Sequence, residues 1–335
     1  MMGKDRREKE IKKALAHRPG ANRTTEALRE TGYEPDAGFV SRLPTERERR
    51  LDNLRKAWYR FSRNKLSVVG LVIVALVFAS AIFAEQIIPF PEHAGAFTDF
   101  TNAKAAPGVR HIFGTDEVGR DIFSRVIFAF RNAMFISMLV LSIAVPVGVF
   151  LGLLAGYKRG TWLEPVIMRI TDVFLAVPAL LLALAIAAVL KPSLTNSMLA
   201  ITVMWWPWYT RLVYNMTRSC RNETYVIVAD LIGAKSPHII FKEILPNCYS
   251  PIFTKIALDV GWVIMMDAAL SFVGMGIQPP APSLGQMVSR GMSYLPECWW
   301  MTVFPAFAII VIILGFNFLG DGIRDMLSKG VGKND

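Results

Sequence analysis

The chain carries six long apolar runs, near residues 66–84, 133–156, 166–190, 195–213, 253–276 and 299–319, and no other feature restricts its fold as strongly. Each is long enough to cross a hydrocarbon layer of about 30 Å as a helix. Inside lipid every backbone N–H and C=O needs an internal partner, so a spanning segment is either a helix or a strand of a closed barrel. The alternating ten-residue pattern of barrel strands does not occur here. The expected fold class is therefore an all-α membrane protein with six transmembrane helices. The short link "KPSLTN" makes a hairpin of the third and fourth runs. Composition agrees, since 53% of the 335 residues are hydrophobic and only 19% are charged. The first run starts near Leu66, too late for a secretory signal, so it is expected to stay as an anchor.

Charge sets the expected orientation. Residues 1–65 hold 18 Lys and Arg against 10 Asp and Glu, most of the net +10. This is the pattern of a cytoplasmic tail under the positive-inside rule, and no nucleic-acid partner is expected. From Leu51 to Lys65 the pattern becomes amphipathic, with Leu54, Trp58 and Phe61 against Arg55, Lys56, Arg60 and Arg63. Such a helix lies in the lipid-bilayer interface with its basic face on the headgroups. With the N-terminus inside, Lys158 and Arg159, loop 214–252, and the tail with Arg324 and Lys329 are also cytoplasmic. The expected organisation is a tail and interfacial helix (1–65), a first span and outer loop (66–132), a five-span core with loop 214–252 (133–320), and a cytoplasmic C-terminal tail (321–335).

Several chemistries are absent. Cys220, Cys248 and Cys298 show no CxxC spacing, and His17, His93, His111 and His238 are scattered, so neither a disulfide framework nor a metal site is expected. No GxxxxGK[ST] loop exists, so the chain should not hydrolyse ATP itself. No paired intramembrane acids or His/Asp cluster argues for an enzyme.

The cytoplasmic loop contains "YVIVADLIGAKSPHIIFKEILPN", Tyr225 to Asn247, two helical halves broken at Gly233. Ala229 and Gly233 are small and four apart, which allows close approach of a partner. Gly233 can end the first helix with positive φ. Ser236 suits an N-cap and Pro237 the first helical position. Ile239, Ile240, Ile244 and Leu245 form an apolar side fit for a groove, and Pro246 ends or kinks the helix. The same pattern also fits a connector packed on its own bundle.

Elsewhere, "FGTDEVGRD" reads as an outer turn in which Asp121 caps the helix of the second span while Asp116 and Glu117 satisfy nearby donors. Gly148, Gly152 and Gly156 form a stripe for close helix packing. In "MWWPWYT", Pro207 is expected to bend the fourth span and, with Trp206, to line a pore. Arg169 and Asp172, and Lys255 and Asp259, are spaced to pair along their own helices. Asp267 has no basic residue one turn away, and an Asp at a helix centre costs about 2.5–3.5 kcal/mol on insertion. It is the single best candidate for a pore-facing group, with a hydrogen bond to a neighbouring helix as the alternative.

"FGTDEVGRDIFSRV", "WPWYTRLV", "LSFVGMGIQPPAPSLG" and "FNFLGDGIRD" occur in this order. Together they resemble the signatures of the dipeptide/oligopeptide/nickel ABC importer permeases, most closely the second permease of the pair, over roughly residues 55–328. The resemblance implies a type I ABC importer permease fold with a cytoplasmic coupling-helix loop, in the cell inner membrane. It implies a homologous second permease, two ABC ATPase subunits that bind the ATP and Mg, and an extracytoplasmic solute-binding protein. No cofactor is expected in this chain. The implied cargo is peptide, with nickel or another small solute as the alternative, and an intramembrane enzyme or channel is the rival class. Asp267 would then attract a peptide amino terminus. Ala229, Asp230, Gly233, Ala234, Ser236, Pro237, Ile239 and Ile240 would dock on the ATPase. The family's element begins Glu-Ala-Ala, where this chain has Ile227, Val228 and Ala229, so either Asp230 supplies the acidic contact or packing replaces it.

Overall fold

A computed structural model of the protein describes residues 46–327. Residues 1–45 and 328–335, with Lys329 of the expected tail, and the Leu54 side chain lie outside what it describes. The chain divides into two compact units, 1–63 and 64–335. In the first, helix α1 spans Glu46–Arg63 and ends on Arg60 and Arg63. Trp58 stacks on Phe61 with centroids 5.6 Å apart, one turn along the same face.

The second unit is helical, and its described residues form no named strand. Asn64 caps α2 (Lys65–Ile82) by accepting from the Leu66 N–H at 3.1 Å. Then follow α3 (Ile122–Tyr157), α4 (Leu163–Ala176), α5 (Ala179–Val189), α6 (Leu194–Cys220), α7 (Thr224–Leu231), α8 (Leu245–Phe272), α9 (Leu284–Met292) and α10 (Trp300–Leu327). Helices α2, α3 and α10 are each long and apolar enough to cross a membrane. Two features differ from the sequence expectation. Helix α3 begins at Ile122, well ahead of residue 133. The third apolar run is not one helix: α4 and α5 meet at 90°, passing the length-and-composition test only as a broken pair. Pro178 is the cause. It has no N–H to donate and forces Val177 out of the helical region, to φ −89° and ψ 131°.

The most extensive helix contact is between α3 and α6. The glycine stripe makes it. A Cβ added at Gly148 would come within 2.5 Å of Trp206 O, and one at Gly152 within 2.7 Å of Thr210 O. A Cβ at Gly156 would meet the Thr217 side chain at 2.6 Å and Tyr214 O at 3.1 Å, so the two helices stay in close contact over about two turns. Pro207 falls inside this seam. It is buried in an unbroken helix against α3 rather than at a break. Trp206 is partly buried and meets Phe174 of α4 edge-on at 5.4 Å. On the far side α10 packs against α2 and α8, with Gly70 of α2 against the backbone of Leu319. The core between them holds Ile136, Val140, Ile201, Val263 and Ile312, all fully buried.

The expected Arg169–Asp172 pair does not form. Asp172 instead accepts from Arg211 of α6, whose guanidinium reaches across the α4–α6 contact. Residues three apart on one helix were neighbours in sequence spacing, but the cross-helix partner reaches the carboxylate first. Lys255 and Asp259 do lie together, at 3.1 Å, and Asp259 also accepts from Trp205 Nε1 at 2.9 Å. Substituting Gly152→Leu should separate α3 from α6 and cost about 3 kcal/mol or more, since no flexible side chain can yield. A fall in the thermal midpoint of the detergent-purified protein, beyond that of Gly108→Leu at an exposed position with no atom closer than 3.9 Å to an added Cβ, is the check.

Candidate functional site

Two polar assemblies sit at opposite ends of α3. The first follows α6. Helix α7 ends in a Schellman turn: Ala234 N–H donates to Ala229 O and Gly233 N–H to Asp230 O, both at 3.0 Å. The turn needs φ +82° at residue 233, which glycine adopts without strain, and open space surrounds it. Pro237 opens a short turn, Ser236–His238, that passes through a π-helix, Ile239–Ile244, into α8. Two expectations are corrected here. Ser236 is not the N-cap; Lys235 holds that position, and Ser236 Oγ instead meets Tyr157 OH from the end of α3 at 3.2 Å. The apolar side of the second half does not face outward. Ile239 and Ile244 are fully buried with Leu153, Val213 and Val226, and Ala229, Ala234, Ile240 and Leu245 pack on that cluster. Burying isoleucines in the chain's own bundle was the alternative the spacing left open.

Most of the exposed apolar surface of this element lies on α7 and its turn, with Phe241 of the second half also half-exposed. Ile227, Val228, Leu231 and Ile232 point outward, the last two 81% and 79% exposed. Asp230 and Gly233 share that exposed surface. Arg221 clamps the base of the element, lying 5.3 Å from the Tyr157 ring and donating to its carbonyl. Beside it, Lys255, Leu258, Asp259 and Trp262 of α8 line an open groove of about 540 Å³ with Leu212 and Arg324.

The second assembly is built from "FGTDEVGRD". Asp121 caps α3 by accepting from Ser124 N–H and Oγ, both at 2.7 Å, and its other oxygen accepts from His111 Nδ1 at 2.9 Å. The Asp121 N–H donates to His93 Nδ1 at 2.8 Å. Asp116 takes the backbone N–H groups of Val118 and Arg120 and the Arg120 Nε at 2.7 Å. Gly119, at φ +84°, leaves no room for a Cβ against Asp99 O. Asp116, Arg120, Asp121, Arg125, His93 and His111 are all buried. This knot grips the "LSFVGMGIQPPAPSLG" segment: Arg125 donates to Pro280 O, Asn132 donates to Pro282 O at 2.9 Å, and Glu117 accepts from Arg290 of α9 at 2.9 Å. The Asp121 cap and the Asp116 role follow the sequence reading. His93 and His111 were missed because they lie 28 and 10 residues from their partner, with no spacing rule to join them. Among the described residues no group of His, Cys, Asp and Glu could hold a metal ion.

Asp267 does not line the open groove. It is 5% exposed beside a cavity of about 10 Å³ between α8, α3 and the segment leading into α9. A peptide cannot enter that space, because the loop packs on α8 too closely.

Residues 148–333 match the family model described as the binding-protein-dependent transport system inner membrane component. Residues 53–107 match the N-terminal TM domain of oligopeptide transport permease C. A dipeptide transport system permease protein from Alkalihalophilus pseudofirmus is 40% identical over 82% of this chain and 88% of its own length. A probable D,D-dipeptide transport system permease protein from Escherichia coli is 37% identical over 88% and 97%. An oligopeptide transport system permease protein from Bacillus subtilis is 34% identical over 90% and 97%. A solved chain of the inward-facing MetNI methionine ABC transporter shares the fold with a TM-score of 0.52, 18% identity, and coverage of 62% of this chain and 98% of that one.

The knot generates a pH prediction. His93 Nδ1 accepts a hydrogen bond only when the ring is neutral, and burial lowers its pKa from 6.5 although Glu92, Asp121 and Asp116 oppose this. A lowered pKa means the stabilisation is complete above about pH 6.5 and is lost as pH falls through the folded value. The thermal midpoint should therefore drop between pH 8 and pH 5 by more than in His93→Asn, which keeps an acceptor and does not titrate. Removing the cap with Asp121→Ala should cost about 1–2 kcal/mol at pH 8, read from the same midpoint.

Proposed function

Because the chain belongs to the family of binding-protein-dependent transport system inner membrane components, we propose that it is the second of two permease subunits of an ABC importer for peptides. The observation that carries this reading is the exposed apolar end of α7, joined through a glycine turn to a continuous 28-residue helix. An unpartnered apolar turn beside the open hinge at Gly233 is a docking handle, and a cytoplasmic ATPase is the partner the family supplies. Peptide is favoured over nickel or another solute because the similar curated permeases are named for dipeptides and oligopeptides. A separate intramembrane enzyme has no support in the groups present.

In this reading six spans cross the inner membrane: α2, the broken pair α4 and α5 as one, and α3, α6, α8 and α10. Both termini are cytoplasmic. A homologous permease completes the pore, two ATPases bind ATP and Mg, and an extracytoplasmic binding protein delivers cargo to the knot side. No bond is made or broken in this chain. ATPase closure moves α7 and the Gly233 turn. The buried Ile239 and Ile244 pass that displacement to α8, and the Tyr157–Ser236 and Arg221–Tyr157 contacts pass it to α3. The groove along Lys255, Asp259 and Trp262 faces the pore or the sister subunit, so its shape changes as α8 tilts. Asp230 supplies an acidic contact near the place where the family has glutamate, while Ile227 and Val228 supply apolar area.

Co-purification should recover a second permease and two ATPases, and a chain that purifies alone under conditions preserving such complexes would refute the assignment. Leu231→Asp and Ile232→Asp alter exposed positions, so the fold should persist while transport-coupled ATP hydrolysis falls about tenfold or more. Gly233→Trp meets no neighbour in this chain but strains the turn at φ +82°, so it should lower the thermal midpoint as well as coupled hydrolysis; full coupled hydrolysis in that variant would remove the docking role.

A further inference from the structure

Asp267 is a buried ionisable group to which the coupling mechanism gives no task. Its Oδ1 has no hydrogen-bond partner among the described residues, and neither does Ser283 Oγ, which is 3% exposed. Both line the same cavity of about 10 Å³, closed by Asn132 and Ala133 of α3 and by Gly285. The walls are set by other contacts. Gly285 lies so close to Ala268 O that no Cβ fits, and the Asn132 amide is held by Pro282 O. The two side chains that carry the orphan oxygens therefore line one narrow void.

A buried polar atom without a partner is costly, and two in one void are costlier still. A cavity of about 10–15 Å³ is the least that accommodates one water, which needs two to four polar partners. We propose that this cavity is a binding site for a single water molecule, which donates to Asp267 Oδ1 and shares a second hydrogen bond with Ser283 Oγ. The water ties α8 to the segment that enters α9, and through Arg290 and Glu117 to the knot. An apolar guest would leave both oxygens unsatisfied, and a peptide amino terminus would bring a chain the cavity cannot hold. Resting on the reading that α8 carries the coupling motion, this site makes the joint between that helix and the opposite face of the bundle. A water-bridged joint lets the two parts shift without breaking a direct bond.

The test uses the full transporter complex. Ser283→Ala and Asp267→Val should each lower the thermal midpoint by about 2–4 °C, since each leaves the other oxygen or the water short of partners. The double variant should be more stable than Asp267→Val alone, because both orphans are then gone. Additive losses would overturn the proposal. Should Asp267→Val fail to fold, Asp267→Ala alone and combined with Ser283→Ala supplies the same comparison, since alanine also removes the carboxyl oxygens. A density map that resolves other buried waters should show one within hydrogen-bond distance of both oxygens, and an empty cavity in that map would refute the site. Exchange of Na⁺ for K⁺ or choline at fixed ionic strength should not move the midpoint; a shift would mean that a cation occupies the cavity and would overturn the water assignment. None of these readouts depends on cargo or ATP hydrolysis, so failure here is distinguishable from failure of the importer assignment.

Discussion

The contact of α3 with α6 along Gly148, Gly152 and Gly156 is the constraint on which the rest of the molecule depends. Between apolar helices in lipid there is no hydrophobic gain from association, so close packing of backbones has to hold them. Three glycines four residues apart remove the side chains that would keep the helices separated. Once the seam closes, the end of α3 comes beside the segment that carries α7 and its glycine turn, so Tyr157 can meet both Ser236 and Arg221. The start of this 36-residue helix carries the Asp121 cap and the knot. One helix thus links two polar assemblies of different character.

These assemblies differ in how their polar groups are satisfied. In the knot, carboxylates, guanidinium groups and histidines are buried and bonded to one another or to backbone, which makes a specific, stiff structure. At the α7 end the backbone turn is satisfied internally by the Schellman bonds, while the side chains of Leu231 and Ile232 stand exposed. Helix α8 starts at this end, and the loop following it is gripped by the knot through Pro280 and Pro282.

Local features were legible in the residues. Asp121 precedes a helix and has the side chain to cap it, and Gly233 stands where only a residue tolerant of positive φ ends a helix in this way. Lys255 and Asp259 pair because one turn separates them, and Trp205 of α6 is a second donor to the same carboxylate. The errors arose where distance along the chain misleads. Arg169 is three residues from Asp172, yet Arg211, far along the sequence, takes the carboxylate. Ile239 and Ile244 looked like a docking face because spacing reveals which residues share a side, not what covers it. Pro178 stood in the third apolar run, and its steric effect on Val177 was enough to foresee the break.

Hydrophobic length and backbone hydrogen bonding determined the helical class of this chain from the sequence alone, and the glycine stripe determined that two helices would touch. Motif order determined the family. What only the tertiary structure decided is which polar groups meet: His93 and His111 with Asp121, Arg211 with Asp172, and Asp267 with a closed cavity instead of the groove. The physical reason is that periodicity acts within one helix, over a few residues, whereas burial and ion pairing depend on which helix lies opposite. That is settled only when the whole bundle packs.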